Sequence, residues 1–126
     1  MATLEDGLYA REPDLKDAAY VAKLGKFVAA SIKGWEYAIK NQDEAVKIVL
    51  AADTSGGSTA AIQKRQLENV AKLITTAGTP AMGKLDPAAY QRTVKVLLAG
   101  GSDPVIKKDP GAAAWTHAVW EKATVK

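Results

Sequence analysis

The stretch "SIKGWEYAIKNQDEAVKIV", residues 31–49, decides the fold because it holds the end of one amphipathic helix and the start of the next. Upstream of it, apolar residues recur at steps of three and four from Tyr20 through Phe27 to Ile39. This spacing is typical of one face of an α-helix. We therefore predict a first helix from about Asp14 to Asn41.

Gly34 lies inside this first helix, beside Trp35. A glycine in a helix interior costs about 1 kcal/mol relative to alanine, so a compensating reason is expected. We predict that the reason is packing, since a residue without a side chain lets another backbone come close. The alternative is a gap beside Trp35 that faces a ligand.

Two further helices follow, each with a polar residue at its start. Asn41, with Glu44 three residues later, matches a capping box and predicts a second helix that ends at about Ala52. The segment "DTSGGS" then breaks the helical pattern. Ser58 is the predicted cap of a third helix, from about Thr59 to Thr76.

The last two predicted helices share one kind of start. Asp-Pro occurs at 86–87 and again at 109–110, and this pair places a side-chain acceptor at the cap and proline at the first helical position. The fourth helix should end at the glycine pair 100–101, and the fifth should carry Trp115 and Trp120. We find no internal repeat beyond this shared start.

These patterns predict an all-α protein of about five helices in a compact bundle-like array. The chain has 126 residues, a length that favours one domain, and we predict a single helical domain over residues 1–126. An alternating segment around Leu4, Leu8 and Tyr9 leaves room for a short extended piece at the N-terminus.

Composition argues against several classes of function. There is no cysteine, and the net charge of +3 comes from lysines and arginines that are spread along the helices. A nucleic-acid-binding protein normally concentrates such residues on one element, so we expect no nucleic-acid partner. No apolar run approaches the roughly 20 residues that span a bilayer, and the first ten residues lack the pattern of a secretory signal, so we expect no direct membrane insertion.

The sequence also lacks a recognisable catalytic motif. His117 is the single histidine and has only Glu121 as a nearby candidate ligand, so we expect a surface or partly buried histidine and no metal site. No "GxSxG" motif is present, and the glycine-rich segments "SGGS" and "LAGGSDP" lack the lysine of a phosphate loop. We predict a noncatalytic protein without a cofactor.

Four aromatic residues are the candidates for ligand binding. Flat rings with polar tips suit stacking on a planar ligand, although aromatic residues at helical spacing are more often part of a core. Trp35 is favoured because Gly34 beside it opens space. The candidate residues are Trp35, Tyr37, Trp115 and Trp120.

The chain also resembles a known family. The most specific part is "F-x-x-A-S-x-K-G-W-x-Y-A" at 27–38, leading into "N-x-x-E-A-V-x-I-V" at 41–49, with supporting segments "RQLENVAKLI", "GKLDPAAYQRTVKVLL" and "THAVWEKA". Together these resemble the C-terminal part of periplasmic solute-binding proteins of ABC importers, of the taurine/nitrate and thiamine-precursor type. The similarity covers Leu4 to about Ala123.

The resemblance implies a function without catalysis. Members of that family close two α/β lobes around a small molecule and deliver it to a membrane permease, so this chain would correspond to the last third and would lack the sheet cores and most of the cleft. We expect a binding module for a small organic solute or a partner, periplasmic if the resemblance holds and otherwise cytoplasmic. The alternative is a self-associating structural or adaptor domain with no small-molecule ligand. The candidate protein partners are a second copy of the chain and the missing lobe.

Overall fold

The computed structural model describes residues 7–76 and 82–123, and in those residues the chain is all-α, as predicted. Its five α-helices are α1 (Ala18–Lys40), α2 (Gln42–Ala52), α3 (Ala60–Thr76), α4 (Pro87–Leu98) and α5 (Ala118–Lys122), with 3-10 helices at Glu12–Lys16 and Ala112–Ala114. No strand occurs in the described residues. Leu8 and Tyr9 lie outside any helix, and Leu4 lies outside the described residues.

The chain divides into two compact units. The terminal unit contains residues up to Phe27 and from Gly83 onward, and the central unit contains Val28–Met82. Helix α1 therefore contributes its first half to the terminal unit and its second half to the central unit. The prediction of a single domain over residues 1–126 stays a prediction.

The first helix begins later than predicted. Residues Glu12–Lys16 form a 3-10 helix, and Asp17 has an extended backbone with φ −86° and ψ 113°. The Asp17 carboxylate accepts a hydrogen bond from the Ala19 backbone N–H at 2.8 Å. The start predicted at Asp14 is wrong because Asp17 caps α1 and its extended backbone separates α1 from the preceding turn.

The predicted bounds of α2 and α3 are confirmed, but their caps differ. Asn41 makes no side-chain cap bond, because its Nδ2 donates back to the Tyr37 carbonyl at 3.0 Å. The capping box with Glu44 is therefore wrong. Ser58 is also not the cap of α3: the hydroxyl of Thr59 accepts from the Ile62 N–H at 3.3 Å. Helix α2 packs against α3.

Helix α4 starts as predicted. The Asp86 carboxylate accepts from the Ala88 backbone N–H at 2.9 Å, and Pro87 occupies the first helical position. The helix ends at Leu98, and Gly101 beyond it has φ +70°, a left-handed conformation that suits glycine.

We expect Asp86→Ala to lower the free energy of unfolding by about 1 kcal/mol, since it leaves the Ala88 N–H without its cap. Asp86→Asn should retain most of the wild-type stability because the amide oxygen still accepts. Urea denaturation of the three proteins measures the difference. Equal losses in both variants would mean that the carboxylate charge matters and the cap does not.

The prediction of a fifth helix that begins at Asp109 is wrong for the first half of that helix. Gly111 has φ +70°, its N–H donates to the Asp109 carboxylate at 2.7 Å, and its carbonyl accepts from the Tyr90 hydroxyl at 3.2 Å. These bonds hold the backbone in a turn. After the 3-10 helix Ala112–Ala114, Trp115 is extended, so in this segment the α-helix is confined to the short α5 (Ala118–Lys122).

A close backbone approach does occur in α1, but at Gly25. A Cβ atom placed on Gly25 would lie 2.7 Å from the Lys122 Cβ and 2.9 Å from the Lys122 carbonyl carbon. Such distances are too short for carbon atoms, so only glycine fits. Gly25 thus has the role that the sequence suggested for Gly34.

The buried core is made of small side chains. Large apolar residues stay partly exposed, and in the described residues none is fully buried. Alanine and valine let the helices approach closely. The buried hydrophobic residues are Val21, Val94 and Ala123 in the terminal unit and Val28, Ala45, Val46 and Ala71 in the central unit.

None of the helices in residues 7–76 and 82–123 has the length and apolar character needed to cross a membrane.

Candidate functional site

An open groove of about 420 Å³ lies in the central unit, between the second half of α1 and the α2–α3 pair. We call it the Trp35 groove. Its volume falls within the range of small-molecule sites. The residues that line it are Ser31, Gly34, Trp35 and Ala38 from α1, Ala45, Val46 and Val49 from α2, and Gln63, Gln66, Leu67 and Val70 from α3.

The lining follows from helical periodicity. Helix α1 contributes positions 31, 34, 35 and 38, and α3 contributes 63, 66, 67 and 70. Both sets have the spacing i, i+3, i+4 and i+7, which places side chains on one face of a helix. The groove is therefore bounded by one continuous face from each of these helices.

Gly34 faces open space in this groove. A Cβ atom placed on it would meet no heavy atom within 4 Å. The prediction that Gly34 allows close packing is therefore wrong, and the alternative of a gap beside Trp35 fits the structure. Trp35 is 43% exposed, so the ring is accessible from the groove that it lines.

Two glutamines supply the polar groups that α3 adds to the lining. The Gln63 Nε2 donates to the Ser58 hydroxyl at 3.0 Å, which fixes the orientation of that amide. Gln66 lies three residues later on the same face. No Asp, Glu, Lys, Arg or His is among the residues that line the groove. The site is consequently suited to binding and offers no ionisable group for proton transfer.

Tyr37 does not line the groove, although it follows Trp35 by two residues. Its hydroxyl donates to the Glu44 carboxylate at 2.6 Å and so joins the end of α1 to the start of α2. This hydrogen bond, followed by partial desolvation and the negative charge of Glu44, raises the pKa of Tyr37 above its ordinary value of 10.0.

The Tyr37–Glu44 bond predicts a loss of stability at alkaline pH. Because the pKa of Tyr37 is raised in the folded state, its contribution is fully present below pH 10.0 and is lost as the pH rises through the raised value. We expect thermal unfolding of the wild type to shift downward more steeply above about pH 10 than that of Tyr37→Phe. The Lys64 pKa is raised in both proteins, so parallel curves would contradict a role for Tyr37.

A second depression, on another face of the α2–α3 pair, is lined in part by Asp43, Lys47 and Lys64. The Lys64 ammonium lies 2.7 Å from the Asp43 carboxylate. Hydrogen bonding and attraction from Lys64 lower the pKa of Asp43, against a smaller opposing effect of desolvation. The ion pair links α2 to α3.

The other two predicted site residues belong to the terminal unit. The Trp115 ring lies against the His117 ring at a tilt of 49°, with centroids 4.8 Å apart, and its centroid is 6.3 Å from that of the Tyr90 ring. The His117 Nε2 is 3.0 Å from the Leu85 carbonyl oxygen. These contacts hold the segment that follows α4 against the start of that helix, so Trp115 and His117 stabilise the fold of the terminal unit. His117 is half-buried, as predicted.

Trp120 lies under a lysine. The Lys84 ammonium is 5.0 Å from the centroid of the Trp120 ring, a cation–π contact. Of the four aromatic residues predicted to bind a ligand, Trp35 is the one that lines the groove described above. In residues 7–76 and 82–123, no group of three or more acidic or histidine side chains is placed to hold a metal ion.

The two glutamines were not predicted from the sequence as groove residues. Their signal was available, since Gln63 and Gln66 share one helical face with Leu67 and Val70. From the sequence alone, Gln63 and Gln66 could not be distinguished from the solvent-exposed polar residues of α3, because spacing does not reveal which edge of an apolar stripe borders a groove.

Comparisons with known protein families, with curated proteins and with solved structures give no match to this chain.

Proposed function

We propose that the chain is a noncatalytic binding module that takes up a small organic solute in the Trp35 groove. The observation that carries the proposal is the open space beside Gly34, next to an accessible tryptophan ring and two amide side chains. Small-molecule sites are typically concave and largely apolar, with a few polar groups that orient the ligand. The groove has each of these features.

The absence of ionisable side chains from the lining supports binding over catalysis. Acid–base or nucleophilic chemistry needs a group that can exchange a proton or attack within reach of the ligand. The groove lining provides amides, one hydroxyl and apolar surface. Such a surface holds and releases a solute without changing it.

The family resemblance suggests the cellular process in which this solute binding would take part. A module that resembles the C-terminal part of ABC-importer solute-binding proteins would serve solute capture for import, and it would act in the periplasm. Gly34 and Trp35 belong to the most specific segment of that resemblance.

The test is calorimetric titration of the full chain with a neutral two-ring probe, 2-naphthamide, supported by thermal unfolding. We expect saturable binding at one site and a melting temperature that rises with probe concentration. Trp35→Ala should weaken binding at least about tenfold, since it removes the stacking surface. Phe27→Ala, which removes an exposed aromatic ring of α1 outside the groove, is the matched control.

Two results would refute the proposal. One is the absence of binding by 2-naphthamide and by naphthalene, its counterpart without the amide. The other is equal weakening by Trp35→Ala and Phe27→Ala, because binding at the groove requires a larger effect at Trp35.

A second candidate function is self-association, favoured by apolar side chains outside the groove lining. Ile48 is 57% exposed, Ile62 56% and Leu73 64%. These three residues lie on α2 and α3, and exposed apolar surface of this kind is suited to contact with another chain. Mass measurement by light scattering separates the two functions: a concentration-independent monomer favours solute binding, whereas a stable oligomer that ignores small molecules favours a structural or adaptor role.

A further inference from the structure

If the Trp35 groove binds a solute, as proposed above, the residues that line it determine which chemical class of solute it prefers. We infer that the Trp35 groove selects a neutral, flat, ring-containing compound with an amide or lactam edge, and that it rejects organic anions and cations of the same shape. The inference depends on three properties of the lining: its neutrality, its planar ring and its paired amides.

The first property is neutrality. None of the lining residues carries a charge, and the Asp43–Lys64 ion pair, with its charged atoms 2.7 Å apart, is among the residues that line the second depression. A charged ligand that enters an apolar groove loses hydration and gains no partner of opposite charge. The groove therefore disfavours carboxylates, sulfonates and ammonium ions alike.

The second property is the flat surface beside an empty position. Trp35 lies next to Gly34, where no neighbouring atom lies within 4 Å of an added Cβ. A ring of the ligand can therefore lie on the indole face without meeting a side chain from the preceding residue. A volume of about 420 Å³ accommodates a compound of two fused rings.

The third property is the pair of glutamines on α3. The Gln63 Nε2 is already bonded to Ser58, so its Oε1 is the atom left to accept from a ligand N–H. In the described part of the chain, the Gln66 amide has no hydrogen-bond partner, so it offers one donor group and one acceptor to a ligand. A ligand amide presents the complementary set, an N–H and a C=O on one edge.

The test uses three compounds of nearly the same size and shape. They are 2-naphthamide (neutral), 2-naphthoate (anionic) and 2-naphthamidine (cationic at pH 7), titrated calorimetrically into the full chain. We expect the neutral compound to bind at least about tenfold more tightly than either ion, since the apolar lining penalises an unpaired charge.

Variants at Gln66 test whether this position contacts the ligand edge. Gln66→Lys should move the preference toward 2-naphthoate, and Gln66→Glu should move it toward 2-naphthamidine, because each variant supplies the missing opposite charge. Lys72→Glu and Glu68→Lys, on α3 but not in the groove lining, are controls that should leave the order of preference unchanged.

The outcomes separate this inference from the proposed function. If 2-naphthoate or 2-naphthamidine binds as tightly as 2-naphthamide, or if the Gln66 variants leave the order unchanged, the ligand class is wrong while solute binding stands. If none of the three compounds and not even naphthalene binds, the proposed function itself fails.

Discussion

Gly25→Ala is expected to destabilise the protein by up to about 2 kcal/mol, although alanine is the better helix former. The new Cβ would lie 2.7 Å from the Lys122 Cβ and 2.9 Å from its carbonyl carbon, so the backbone around Lys122 has to move. Overpacking of this kind costs about 1–3 kcal/mol and exceeds the gain of about 1 kcal/mol in helix propensity. Urea denaturation measures the change.

Gly34→Ala is the matched control in the same helix, and we expect the opposite sign. An added Cβ there meets nothing within 4 Å, so only the gain in helix propensity remains, about 0.5–1 kcal/mol of stabilisation. The two variants have the same chemistry and the same helix. Destabilisation by both, or by Gly34→Ala alone, would contradict the assignment of close packing to Gly25 and open space to Gly34.

Gly34→Leu is expected to abolish most solute binding without loss of stability. Leucine is a good helix former, and its side chain would enter the space beside Trp35. We expect the affinity for 2-naphthamide to fall at least about tenfold, because the ring can no longer lie on the indole face. Calorimetric titration measures the affinity, and thermal unfolding confirms that the variant is folded.

Lys33→Leu serves as the control for Gly34→Leu. It adds the same side chain at the neighbouring, exposed position of α1, which does not line the groove. Affinity should stay within about threefold of the wild type. If Lys33→Leu weakens binding as much as Gly34→Leu, the loss comes from a general effect on α1 and the groove is not the binding site.

The sequence predicted a helix correctly where a single local pattern determines it. The apolar stripe predicted α1, and the Asp-Pro start predicted α4, because the Asp86 carboxylate caps the Ala88 N–H and the proline sets the first turn. The same Asp-Pro pair at 109–110 failed. There Gly111 follows the proline, and the carboxylate of Asp109 bonds to Gly111 in a turn that the Tyr90 hydroxyl also holds.

The site was only partly predictable, because it depends on which helix faces meet. Trp35 and the alternative of a gap at Gly34 followed from the sequence. The role of Gly25 did not, since its neighbour Lys122 lies almost a hundred residues further along the chain and no local pattern connects the two. For the same reason, the sequence did not reveal that the four aromatic candidates lie in different units. Trp35 and Tyr37 belong to the central unit, and Trp115 and Trp120 belong to the terminal unit.

The central claim is that Gly34 opens a groove that a solute occupies, and a single thiol tests it most directly. The chain has no cysteine, so Gly34→Cys and Lys33→Cys each carry one reactive group, and the rate of alkylation by N-ethylmaleimide reports access to that position. We predict that both thiols react readily, and that saturating 2-naphthamide slows Gly34→Cys at least about fivefold while leaving Lys33→Cys unchanged. A Gly34→Cys thiol that stays unreactive without the probe, or that reacts at the same rate with it, would contradict the account.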